Sequence, residues 1–324
     1  MSRKGKQDSG QQTGIQTRNN STGMRQIMIR FRKDWMLYVM LLPGFLYFLI
    51  FKYGPMFGLI TAFQDYNAML GWFGSKFVGW KHFQRFFADP KFFQIFRNTL
   101  VLAFFNIVVY FPLPIVLALL INELKFTRYK NIVQSVLYLP HFVSWVVVAG
   151  ICMTLFSAES GALTDVLSRL CGREVRVLSE GKFFPVLITG QVIWKESGWG
   201  TIVFLAALTG VDMQLYEAAK VDGANRWQQT WHITLPAIKS TIVTLLILRM
   251  GSFLNTGFEQ IFLMLNSMNR DVGEVFDTYV YQTAMTNGKI SYGSAVGLFK
   301  SVVCLILVIL SNQIAKKAGE EGVY

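Results

Sequence analysis

The chain has 324 residues, of which 52% are hydrophobic and 15% charged, with a net charge of +12. Soluble domains carry about 25% charged residues, so the composition excludes an ordinary soluble protein. The basic balance is no nucleic-acid footprint. Eight basic residues against one acid fall within residues 1–33, ahead of the first apolar run, and such a bias holds a flank in the cytoplasm of a membrane protein.

Residues 1–33 are polar and poor in aromatics, and they are expected to form a disordered, basic cytoplasmic tail. No apolar core follows the basic start before Trp35, so the first span reads as a retained anchor and not as a cleaved signal. Six predicted membrane helices follow over residues 34–317, at Trp35–Tyr53, Asn98–Ile121, Ile132–Phe156, Phe183–Leu208, Pro236–Phe258 and Ile290–Ile314. The fold class is therefore an all-α integral membrane protein with six transmembrane helices, closed by a short cytoplasmic tail at 318–324. Residues 98–122 and 131–158 hold no charge at all. Each run exceeds the roughly 20 residues that cross a bilayer, whereas core helices of soluble proteins keep a polar face.

With the basic tail inside, an even number of spans returns the C-terminus to the cytoplasm. The short loop Asn122–Asn131 sets Lys125, Arg128 and Lys130 against Glu123, as an inside loop should. Residues 54–96, 157–182 and 267–289 then lie outside. The first carries "FVGWKHFQRFFADPKFF", whose alternating aromatic and polar residues suit a segment at the membrane interface. Cys152, Cys171 and Cys304 form no CxxC pair, and small buried hydrophobes are the favoured reading. His82, His141 and His232 show no metal spacing, and no G-x-x-x-x-G-K-[ST] occurs. The chain is expected to hold no metal or cofactor, so ATP and its magnesium would have to sit on other subunits.

Between spans four and five lies a polar interruption, residues 211–235, containing "EAAKVDGANRWQQTWHIT". The part before Gly223 favours a helix, with Ala218 and Ala219 as strong formers and Glu217 near the start to suit the helix dipole. Asp222 and Gly223 close it, and Gly223 permits a turn that a Cβ would resist. A second helix restarts, with Trp227 and Trp231 four apart on one face. Pro236 can open the following span without losing an intrahelical bond. Periodicity alone favours an amphipathic helix resting on the membrane. A compact knob that fits a partner's groove is the alternative.

The order of residues bears on that choice. "EAA", then Gly223, then "ITLP" resembles the signature of permease subunits of binding-protein-dependent ABC importers. "LLPGFLYFLIFKYGPMFGLITAFQDYN", "VQSVLYLPHFVSWVVVAGI" and "GLFKSVVCLILVILSNQIAKK" are similar to carbohydrate permeases of the maltose-transporter type. Within these the likeness runs to the subgroup importing complex, uronate-rich oligosaccharides, including alginate-type importers. It covers nearly everything from Trp35 to Lys317. The resemblance implies that the loop docks on an ATPase subunit, with Glu217 pairing a basic residue there, Ala218 and Ala219 packing closely, and Gly223 turning. It also implies a second homologous permease, two ATPase subunits and an extracytoplasmic solute-binding protein as partners, with oligosaccharide cargo, membrane lipid and no nucleic acid.

Charges inside spans mark candidate pathway residues. Span four has Lys195 and Glu196, span five Arg249, span six Lys300. Internal neutralisation, with Glu196 pairing one base, stands beside a substrate role for each. Three bases against one acid leave a positive excess that would favour anionic cargo such as a uronate oligosaccharide. Gln191, Trp194, Trp199, Asn106, Tyr110, Asn255 and Gln260 supply the aromatic faces and amide or hydroxyl groups that sugars use. Pro112, Pro114 and Pro140 break helices near such a path. An ion-coupled secondary transporter or channel is the alternative function, favoured by Lys195, Glu196 and Arg249 but lacking a visible repeat. A membrane-embedded enzyme would need a clustered His, Asp or Ser constellation, and the sequence offers none.

Overall fold

The structure, a computed structural model, describes residues 34–158, 161–319 and 322. The basic tail read over residues 1–33 and most of the tail at 318–324 lie outside the described residues. The chain divides into two compact units at Gly58 and Leu59. The first contains α1 (Trp35–Phe48), which runs into a wide π-turn at Leu49–Tyr53. Its sequence is apolar all round, as a membrane span requires.

Near the start of the second unit, after a 3-10 run that ends at Phe63, come two short antiparallel strands, β1 (Gln64–Asp65) and β2 (Lys76–Phe77). Then comes α2 (Lys81–Phe87). Phe83 and Phe86 of α2 are buried, while Trp80, Phe87 and Phe93 stay exposed. The aromatic outer segment is thus part interface and part core, a division that its alternation alone does not reveal.

α3 (Lys91–Phe105) passes through a π-turn at Asn106–Tyr110 into α4 (Pro112–Asn122). Together they form one apolar helix of 32 residues, about 48 Å long at 1.5 Å per residue. Pro112 and Pro114 do not break it. Both fall in the first turn of α4, where the wide turn before them has already opened the hydrogen-bond ladder.

The third span departs from the sequence reading. α5 (Thr127–Tyr138) and α6 (Trp145–Leu155) meet at 96° and not as one straight helix. Pro140 lacks an N–H, Val143 is extended, and Ser144 caps α6 by accepting from the Val147 N–H. α7 (Ala162–Cys171) follows, leaving Cys171 exposed, not buried as read.

α8 (Phe184–Thr209) is the central helix, packed on α4 and α5. After it come α9 (Met213–Val221) and α10 (Arg226–Ala237). α11 (Lys239–Gly251) leaves α10 at 58°. The fifth span is thus shorter than Pro236–Phe258, because turns at Ser252 and a left-handed Gly257 end it before α12 (Phe258–Met264). α13 (Phe276–Tyr281) packs on α14 (Ile290–Lys317), which runs past the expected Ile314. Among the described residues, Trp35–Phe63, Lys91–Asn122 and Ile290–Lys317 are long and apolar enough to cross a membrane, and three bent pairs raise the number to six. Val101, Phe104, Leu305 and Ile306 remain exposed on these helices, an apolar surface suited to lipid or to a partner subunit.

Candidate functional site: a two-helix knob and a charged helix seam

Residues 211–235 build two short helices with a sharp turn between them. Asp212 caps α9 by accepting from the Gln214 N–H. Asp222 ends it, and Gly223 takes a left-handed φ of 78° with open space around its Cα. Asn225 and Gln228 then form a reciprocal capping box at the start of α10. The Tyr216 hydroxyl meets the Thr234 hydroxyl at 2.9 Å and braces one helix against the other. Arg226 holds Glu123 at 2.9 Å, tying the knob to the end of α4.

Glu217, Ala218, Asp222, Gly223, Trp227 and Trp231 are all exposed, and Ala219 is half-buried. Trp227 and Trp231 meet edge to face at 6.0 Å. Two exposed indoles on a stiff, polar knob form a surface suited to a partner. Pro236 differs from the sequence reading. It does not open the next span but sits near the end of α10, after a π-turn at Thr230–Thr234, and the bend falls at Ile238. The π-turn makes the room that the proline ring needs.

The Gly223 geometry carries a prediction. Gly223→Val meets no steric neighbour, yet a β-branched residue at positive φ is strained by about 1–3 kcal/mol. The turn should open and displace α10, lowering co-purification of the ATPase subunit that the resemblance implies. Undiminished recovery would show that the turn tolerates a side chain.

The charged residues lie along a seam between helices. Lys195 is buried, donates to the His141 carbonyl at 2.5 Å and stands 3.3 Å from Glu196. Glu196 also meets His141 Nδ1 at 2.8 Å. His141 stacks on Trp199 with ring centroids 4.5 Å apart. This network sits at the broken third span, so His141 is a structural partner that its isolation in the sequence hid.

Lys300 is ion-paired with Asp277 of α13. Asp277 falls in a segment read as outside the membrane, and no sequence signal links it to Lys300. The expected excess of three bases over one acid therefore becomes three over two. Among the described residues Arg249 is the seam base with no acidic partner. Its Nη2 donates to Asn106 Oδ1 at 2.8 Å, and its guanidinium lies 5.3 Å from the Tyr110 ring centre. Tyr110 and Arg249 line a cavity of about 300 Å³ with Phe204 and Leu245.

The remaining candidates separate. Gln260 donates to Gln191 Oε1 and to the Ile188 carbonyl, both at 2.8 Å, as a buried brace from α12 to α8. Asn255 lines a cavity of about 510 Å³ with Asp277 and Lys300. Trp194 faces a different cavity of about 680 Å³, walled by Val148, Ile151, Leu155 and Leu167. Such apolar walls offer a sugar few hydrogen bonds.

Helices of membrane-spanning length joined by a two-helix knob describe a polytopic membrane protein. Residues 86–319 match the family described as binding-protein-dependent transport system inner membrane component, and the chain belongs to that family. It is a multi-pass permease subunit and not an enzyme. The chain is 51% identical to the polygalacturonan/rhamnogalacturonan transport system permease protein YteP of Bacillus subtilis (strain 168), over 93% of this chain and 94% of that one. It is 30% identical to the arabinooligosaccharides transport system permease protein AraP of the same organism, over 88% of this chain and 90% of that one. A crystal structure of a bacterial ABC transporter involved in the import of the acidic polysaccharide alginate contains a chain 37% identical to this one. That chain superposes with a TM-score of 0.83, over 90% of this chain and 99% of its own length. Family membership does not favour the ion-coupled carrier or channel.

Proposed function

We propose that the chain is one permease of an ATP-driven ABC importer that moves an acidic, uronate-type oligosaccharide across the cytoplasmic membrane by alternating access. A solute-binding protein delivers the cargo, a homologous second permease completes the pathway, and two ATPase subunits bind ATP with magnesium and push on the knob at residues 211–235. Both termini lie in the cytoplasm. Relatives named for polygalacturonan and rhamnogalacturonan and a neighbour named for alginate support the acidic class.

The single observation that carries the cargo class is Arg249. Its guanidinium is held by a neutral amide and a phenol ring, without an acid among the described residues. A base carried on a membrane-spanning helix is costly to hold there, and a carboxylate arriving beside it recovers part of that cost. A neutral sugar recovers none. Arg249→Gln in the assembled importer should therefore lose transport of an acidic oligomer selectively. Hydrogen bonds to charged groups contribute about 1.5–3 kcal/mol, so kcat/KM should fall by roughly 10- to 150-fold. Vesicle uptake of acidic and neutral oligomers of equal length measures this. Equal handling of both by the wild type would refute the acidic cargo.

A further inference from the structure

A second polar cavity lies at the far end of the molecule's second unit from the knob. The knob is tied by Arg226 to Glu123, just beyond the C-terminal end of the α3–α4 helix. Lys91 at the opposite end of that helix lines a cavity of about 250 Å³. The two are thus separated by a helix of 32 residues, about 48 Å. Asn98 pins the loop after α12 onto α3 here, donating to the carbonyls of Asp271 at 2.9 Å and Glu274 at 3.1 Å.

The cavity holds four bases, Arg85, Lys91, Arg270 and Lys289, against two acids, Asp89 and Glu274. Asp89 is fully engaged. Its Oδ2 accepts from the hydroxyls of Tyr279 at 2.8 Å and Tyr292 at 3.0 Å, and its Oδ1 accepts from the Lys91 N–H at 2.9 Å. Burial opposes its ionisation, but the Lys91 N–H and the two phenols outweigh that and hold the carboxyl below the ordinary range. Glu274 is buried, and its Oε2 has no hydrogen-bond partner. Lys91 and Arg270 approach it only to 3.8 and 3.7 Å, beyond hydrogen-bonding reach.

The other two bases have no acidic partner among the described residues. Arg85 lies over the Tyr292 ring at 5.4 Å. Lys289 has no acidic partner among the described residues. Two cations without an acidic partner, in a polar cavity lined also by two phenols and the amides of Gln282 and Asn287, suit a carboxylate with hydroxyls around it. A metal cation would meet net positive charge, and a neutral sugar would leave both bases unanswered.

We propose that this cavity binds the carboxylate of a uronate unit of the cargo on the face opposite the knob, ahead of the membrane seam. The assignment rests on the acidic-cargo reading above. The test uses the assembled permease–ATPase complex in lipid nanodiscs, carrying Arg249→Gln so that the seam does not mask the outer cavity. Equilibrium binding of a galacturonate trisaccharide and a galactose trisaccharide is measured without the binding protein, before and after adding Arg85→Gln and Lys289→Gln. Both residues are exposed, so the fold should survive, and basal ATP hydrolysis checks it. The expected result is binding of the acidic trisaccharide alone, weakened at least tenfold by the two substitutions. In the same variants the concentration of loaded binding protein needed for half-maximal ATPase stimulation should stay within twofold. Undiminished acidic binding in the double variant overturns the site. So does a rise in that half-maximal concentration with sugar binding unchanged, which assigns the cavity to a carboxylate of the binding protein. Wild-type import of acidic over neutral oligomers, measured in parallel, separates failure of this site from failure of the acidic-cargo reading.

Discussion

Glu217→Lys is expected to leave the permease folded and inserted while reducing transport to near background and uncoupling it from ATP hydrolysis. Glu217 is exposed in the middle of α9, not near its start as the sequence suggests, so the helix dipole does not account for it, and it has no ion-pair partner among the described residues. It therefore does no visible work inside this chain. A surface substitution of that kind changes stability by about 0.5 kcal/mol or less, and lysine is a good helix former. The loss must arise at a partner. If Glu217 meets a base on the ATPase subunit, reversal replaces attraction by repulsion in a closed interface. Breaking such a pair costs about 2–5 kcal/mol, which weakens docking by roughly 30-fold or more. Basal ATP hydrolysis should continue, while its stimulation by loaded binding protein vanishes together with uptake. Normal uptake in vesicles would show that the knob transmits force without this carboxylate. A compensating acidic substitution on the ATPase that restores uptake would identify the base.

The six-span plan and the knob were legible because each rests on local signals. Charge-free runs longer than a bilayer need no tertiary information, and neither do Ala218 and Ala219 followed by Gly223. The capping box at Asn225 and Gln228 was equally local and was missed, although Asn three before Gln is its ordinary signature. What the sequence hid was pairing at a distance. Asp277 reaches Lys300 from a segment read as outside. His141 reaches Glu196 only because the third span breaks at Val143 and Ser144. Pro140 announced that break but gave no angle, since a proline in a membrane helix is compatible with a small kink or with a 96° corner. Pro236 shows the converse. Its sequence context suits a helix start, yet the π-turn before it lets the chain carry it at a helix end.

The corner of the third span is held by a glycine, and its replacement should be the most damaging single change in the fold. Gly198 lies buried on α8, and a Cβ built there would run into the backbone carbonyl of Leu137 in α5. The obstacle is main chain, so no side-chain rotation relieves it. Close backbone approach through small residues is a principal way that membrane helices associate. Gly198→Val must push α5 away from α8. That movement would draw the His141 carbonyl from Lys195, which now donates to it at 2.5 Å, and leave a buried ammonium short of an acceptor. Overpacking alone costs about 1–3 kcal/mol, and the unmet polar group adds about 1–3 kcal/mol. Together these approach the whole stability of many proteins. Gly190 of the same helix is the control, because it is exposed and a Cβ there meets nothing within 4 Å. Gly190→Ala should purify as a monodisperse, thermally stable permease, whereas Gly198→Val should be recovered poorly and melt lower by size-exclusion and thermal-shift measurements. Equal yield and stability for the two would mean that α5 and α8 are not in backbone contact, and the corner would need another support.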